Sequence, residues 1–112
     1  MNIGKQEDLL EIDFSNFGGP VYSGRAKGEM VRTDLNLDSY DGVTGRIRVI
    51  IPKSTYSVTS SFFLGLFGKS VRKAGSFDEF AKKFQFDTPE IFRQTIRTCV
   101  DRALREQTKL VG

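Results

Sequence analysis

The sequence predicts an α/β domain, with α+β left open, built as a small mixed β-sheet with helices packed on it. Three observations predict this. Short alternating or β-branched apolar segments occur at Leu10–Phe14, Arg46–Ile51 and Phe84–Phe86. Segments with helical spacing and recognisable end signals lie between and after them. The 112 residues show no shift of composition along the chain, so they read as a single domain over 1–112, of a size that buries roughly two-thirds of its unfolded surface.

In the first segment Leu10, Ile12 and Phe14 alternate with Glu11 and Asp13, a strand with one apolar and one acidic face. Gly18-Gly19-Pro20 ends it. Ser23 is placed to cap a short helix over about Gly24 to Asp34, with Ala26, Met30 and Val31 turned inward. Gly24 and Gly28 oppose that helix by about 1 kcal/mol each, and a bent extended segment is the alternative. Ser39 to Gly45 is rich in turn formers. Arg46–Ile51 is the clearest strand and belongs at the centre of the sheet, where Pro52 stops it.

The hydroxyl-rich stretch Ser57-Val58-Thr59-Ser60-Ser61 leads into a helix that ends near Gly75. Thr59, Ser60 or Ser61 can accept from the unpaired N–H groups of its first turn, Lys69, Arg72 and Lys73 oppose its negative end, and Gly75 suits a left-handed cap. Phe63, Leu66, Phe67, Val71 and Ala74 form its apolar stripe. Gly65 and Gly68 imply that another backbone, in the sheet or in a partner, approaches that side. Ser76-x-x-Glu79 matches a capping box, and Phe77, Phe80 and Phe84 predict a helical turn passing into a short strand at Phe84–Phe86. Thr88 caps and Pro89 opens a final amphipathic helix running to about Gln107.

Composition narrows the chemistry. There is no His and one Cys, Cys99, which removes intramolecular disulfides, His-containing triads and His/Cys zinc sites. Cys99 falls on the apolar stripe of the last helix without a base to activate it and reads as a core residue. Asp13, Asp34, Asp38 and Asp41 have no spacing that forces a carboxylate pair together. No enzyme activity, cofactor or metal is therefore expected. Neither an apolar leader at Met1–Asp8 nor an apolar run near the roughly 20 residues of a bilayer span is present, so the expectation is a cytoplasmic protein away from membranes. Gly18 to Arg25 resembles a phosphate-cradling loop only in its glycines. It lacks the Gly-Lys-Ser/Thr ending of a Walker motif and reads as a turn plus a helix cap.

Charge is uneven. Residues 1–56 hold seven basic and eight acidic side chains, residues 57–112 hold ten and six, and the chain carries +3. Arg93, Arg97, Arg102 and Arg105, with Lys82 and Lys83, raise an alternative: a nucleic-acid-associated or mobile-element inhibitor protein using its basic C-terminal half. Asp101 can pair with Arg97 and Arg105 along the helix, so a solvated charged face is the favoured reading there.

Ile47-Arg-Val-Ile-Ile-Pro52 followed by Tyr56-Ser-Val-Thr-Ser-Ser-Phe-Phe-Leu-Gly-Leu-Phe67 resembles the STAS domains, the anti-sigma-factor antagonist fold. Gly19-Pro20-Val21-Tyr22-Ser23-Gly24-Arg25, Ser60-Ser61-Phe62 and the Phe67-Gly68 to Gly75 helix end resemble more closely a STAS-like family of unknown function. The likeness spans roughly residues 18 to 87. It implies a non-enzymatic regulatory or protein-docking module whose protein partner is an ATP-binding kinase-like regulator. Ser60 stands at the phosphoacceptor place of the antagonists' Asp-Ser-Ser-Gly pattern, with Ser61 beside it, while Thr59 replaces the Asp and Phe62 the Gly. The implied partner surface comprises Thr59, Phe62, Gly65 and Lys69.

Overall fold

The computed structural model describes residues 8–111, and the side chains of residues 8–106. Strand alternation decides which way the sheet faces. Strands β1 (Leu10–Asp13), β3 (Ile47–Ile50) and β5 (Phe84–Asp87) form a three-stranded sheet in the order β1-β3-β5. Both pairings are parallel, so the sheet is not mixed as expected. A helical crossover follows each of the first two strands and returns the chain to the same end of the sheet before the next begins. The Arg46–Ile51 segment supplies the central strand, as read. In register, Leu10, Ile47 and Phe84 lie side by side, as do Ile12, Val49 and Phe86, and these turn towards the helices. Glu11, Arg48 and Gln85 line up on the opposite, exposed face.

Among the described residues four α-helices complete the fold: α1 (Arg25–Asp34), α2 (Ser60–Ala74), α3 (Phe77–Lys83) and α4 (Arg93–Val111). Two short strands, β2 (Val21–Tyr22) and β4 (Ser57–Val58), make a separate parallel pair. The sequence shows them only as a turn and a hydroxyl-rich entry, because two residues carry no period.

Helix α2 sits at the centre. Every residue from Phe62 to Gly68 is buried, so its apolar surface is a full girdle rather than the single stripe expected, with α1, α3 and α4 packed around it. One aromatic cluster joins Phe67, Phe80, Phe84 and Phe86 at centroid separations of 4.8 to 6.1 Å. A second joins Phe14, Tyr22 and Phe62.

The inward face of α1 differs from the expected one. Met30 is 62% exposed and Ala26 is exposed, while Gly28, Val31 and Arg32 point in. The cause is close backbone contact. A Cβ at Gly28 would meet the Phe62 carbonyl oxygen and lie 2.9 Å from the Leu66 nitrogen, and one at Gly65 would meet the Arg25 carbonyl oxygen and lie 3.0 Å from the Glu29 nitrogen. Gly65 thus faces another backbone, but that of helix α1 and not the sheet or partner backbone expected. Gly68 does not: its nearest neighbour is the Arg72 guanidinium at 3.2 Å.

End signals were mostly legible. Thr59 is the N-cap of α2, its hydroxyl accepting from the Phe62 N–H at 3.2 Å, and Gly75 closes the helix at φ 87°. Ser76 accepts from the Glu79 N–H at 3.2 Å. Two caps differ. Gly24, at φ 95°, precedes α1 in place of Ser23, which makes no cap bond. The Thr88 hydroxyl donates to the Pro89 carbonyl, and a 3-10 turn over Glu90–Phe92 leads into α4.

Gly28→Ala and Gly65→Ala are each expected to lower the free energy of unfolding by about 1–3 kcal/mol through overpacking, despite a helix-propensity gain near 1 kcal/mol. Gly68→Ala should be neutral or stabilising, since a mobile side-chain tip can yield. Urea unfolding of the three variants checks this, and equal effects at all three positions would contradict it.

Candidate functional site

The start of α2 is pinned by main-chain bonds before any side chain acts. The Tyr56 N–H donates to Pro20 O at 2.8 Å and the Thr59 N–H to Tyr22 O at 2.9 Å, extending the β2–β4 pair up to the helix. With the Thr59 hydroxyl occupied as the cap, Ser60 and Ser61 occupy the first turn. Ser60 is partly exposed and Ser61 exposed. The Ser60 hydroxyl accepts from Arg102 Nη1 at 3.0 Å. Arg102 lies 3.7 Å from Glu106, which lies 3.6 Å from Arg25. A chain of charge therefore links the starts of α1 and α2 to α4. These groups are all partly exposed, so each link contributes at most about 1 kcal/mol. No local pattern signals this link, because Ser60 and Arg102 lie 42 residues apart.

Beside this opening are two exposed apolar side chains on adjoining backbone, Tyr56 at 81% and Val21 at 46%. Of the expected partner surface, Thr59 is half-buried at the rim and Lys69 is exposed, about 13 Å from Ser60 along the helix axis. Phe62 and Gly65 are corrections. Phe62 is fully buried against Phe14 and Tyr22, and Gly65 is sealed by α1; both serve packing. The Gly18–Arg25 segment is tied to its own backbone and to the residues before it, with the Tyr22 hydroxyl donating to Phe14 O at 2.8 Å and Gly18 O at 3.0 Å.

A second polar constellation was not foreseen. Arg32, 5% exposed, donates from Nε to Asp38 Oδ1 at 2.8 Å, from Nη1 to Leu66 O and Ser70 Oγ, both at 3.0 Å, and from Nη2 to Asp41 Oδ2 at 2.7 Å. Ser70 Oγ donates in turn to Asp41 Oδ1 at 2.7 Å. Hydrogen bonding and charge from Arg32, then the charges of Lys69 and Lys73, hold the Asp38 carboxyl below its ordinary range. Fold therefore brings together two of the four aspartates that sequence spacing could not. The available signal was Gly28, four residues before Arg32 and so on the same face. Every donor of the guanidinium shown here has a partner, so the cluster is a brace.

Other groups offer little chemistry. Burial pushes the Cys99 thiol up to about 11. Arg93, Arg97 and Arg102 each lie within 4 Å of a carboxylate one turn away, and Arg97 also stacks 4.2 Å from the Phe77 ring centroid. Among the described residues no three His, Cys, Asp or Glu side chains gather as metal ligands, and no helix is long and apolar enough to cross a membrane. No family model, curated protein or solved structure matches the chain.

Arg32→Met leaves Asp41, whose side chain is 9% exposed, without its cation and should lower unfolding free energy by about 3–5 kcal/mol. Ser70→Ala keeps both ion pairs and should cost about 1 kcal/mol. Chemical denaturation distinguishes them, and a cost for Arg32→Met no larger than that for Ser70→Ala would remove the brace.

Because the Cys99 pKa rises on folding, the stability it confers is full below the ordinary value of 9.0 and is lost as pH climbs towards about 11. The stability difference between wild type and Cys99→Ala is expected to shrink across that window. Native Cys99 should react with a thiol reagent at neutral pH only as fast as the protein opens, and immediate reaction would contradict the burial.

Proposed function

We propose that this chain is a non-enzymatic regulatory or docking module, switched at Ser60. The observation that carries this reading is the Ser60 hydroxyl itself: partly exposed, in the first turn of a capped helix, and already hydrogen-bonded by an arginine from another element. The resemblance to STAS-like domains supports it. A phosphoryl group on Ser60 would add about −1.5 to −2 charge and three acceptor oxygens. Helix N–H groups and Arg102 would receive that charge, so the helix would tolerate it.

The surface offered to a protein partner is then the α2 opening, Thr59 to Ser61, with Tyr56 and Val21 as the apolar contacts beside it. An aromatic side chain left mostly in water next to a polar switch suits an interface anchor with a polar rim. The partner class is an ATP-binding kinase-like regulator. A double negative charge placed on that surface repels acidic groups and is costly to desolvate, so modification releases the partner.

Ser60→Glu is expected to weaken partner capture from host lysate several-fold while shifting Tm by no more than a degree or two, and Ser60→Ala should retain capture. Capture followed by mass spectrometry reads both partner and phosphate. Equal recovery of the partner by wild type and Ser60→Glu would end the switch.

A further inference from the structure

Three hollows run end to end along the α2 side of the molecule. The first, about 410 Å³, lies between α1 and α2; it shares Asp38, Lys69 and Arg72 with a second of about 540 Å³, which shares Lys73 with a third of about 350 Å³ walled by α3. Together they form one groove. Seven cationic side chains and four carboxylates line it, a surplus of three. Residues 8–106 hold 15 cations and 13 carboxylates, so eight and nine remain outside the groove among the described side chains. The positive excess of the described residues is therefore concentrated in this groove.

The surplus is also unpaired. Among the described residues Lys69, Arg72 and Lys73 have no carboxylate within 4 Å, in contrast to Arg93, Arg97 and Arg102 of α4. Asp38 and Asp41, which lie in the groove, are occupied by Arg32. The helix dipole accounts for cations in the last turn of α2, at Arg72 and Lys73. The effect falls off within the last turn, so Lys69, a turn earlier, gains less from it than the sequence pattern implies.

We propose that this groove docks an acidic polypeptide segment, an extended stretch rich in Asp and Glu. A polyanion is what the unpaired cations fit, and the details favour peptide over nucleic acid. Among the described residues no aromatic side chain lines any of the three hollows, which deprives a single strand of stacking platforms. Glu29 and Glu79 stand in the walls; the N–H groups of a peptide can donate to them, whereas a phosphodiester backbone has no donor to offer. The groove needs neither Ser60 nor its modification, although Arg25 in its wall also ends the chain from Ser60 through Arg102 and Glu106.

Fluorescence anisotropy with a labelled Glu/Asp-rich decapeptide and a single-stranded oligonucleotide of equal length, at low and at physiological salt, tests this. The peptide should bind the full-length protein more tightly than the oligonucleotide and weaken as salt rises. Lys69→Glu/Lys73→Glu should lose at least tenfold in peptide affinity, and Lys69→Gln/Lys73→Gln, the milder pair if the first misfolds, several-fold, whereas Arg93→Glu on α4 should bind as wild type. No peptide binding by the wild-type protein, preference for the oligonucleotide, or unchanged affinity in the lysine variants would each overturn the proposal.

Discussion

Two helix backbones touching at Gly28 and Gly65 set the geometry on which the remaining structure depends. With no Cβ on either side, α1 lies so close to α2 that Arg32, four residues after Gly28 on the same face, reaches the Leu66 carbonyl and Ser70. An apolar residue there would leave the Asn36–Asp41 turn without an anchor. Arg32 instead draws Asp38 and Asp41 onto itself, and that turn, entered through Asn36 at φ 54°, seats Leu37 in the core. The start of β3, six residues on, is thereby set. From β3 the chain passes to β4, whose pairing with β2 carries it to Thr59 and back into α2. The loop of constraint closes on the helix where it began.

Its energetic character is mixed. Close backbone packing gains dispersion and removes apolar surface from water, at the cost of glycine's unfolded-state entropy. The Arg32 cluster spends desolvation energy and regains it in charged hydrogen bonds, so its net contribution is smaller than its bond inventory suggests. What it secures is register. A cation that must satisfy two carboxylates, a carbonyl and a hydroxyl at once permits one placement of the turn relative to α2. Hydrophobic burial of Leu37 alone would allow several.

The legible parts of this fold are those whose signal is local. Strand alternation at Leu10–Ile12 and the β-branched run at Ile47–Ile51 need only neighbouring residues, as do the caps at Thr59, Ser76 and Gly75. Parallel pairing was hidden because it depends on where a crossover returns, and β2 and β4 because each is two residues long. The α1 face was misread for a physical reason: Met30 is apolar and Arg32 charged, yet close approach at Gly28 rotates Arg32 inward and Met30 out. At the candidate site, Thr59 and Ser60 could be placed from sequence, whereas Arg102 is brought to Ser60 by the packing of α4 on α2. A single apolar stripe on α2 would leave Phe62 and Gly65 at the surface, and the observed girdle buries both.

The girdle also limits how a switch at Ser60 could work. From Phe62 to Gly68 the helix is enclosed on all sides, and cores packed at crystal-like density do not transmit a small displacement smoothly. A charge added at Ser60 would therefore not act by shifting α2. Two soft elements are within reach of it: the hydroxyl surface itself and the exposed chain from Arg102 through Glu106 to Arg25. Arg102 can exchange a carboxylate 3.7 Å away for a phosphate at little cost, since both ends of that exchange are wetted. A rigid helix with a polar, accessible first turn would thus confine the consequence of a modification there to the surface, where a bound partner, rather than the fold, would feel it.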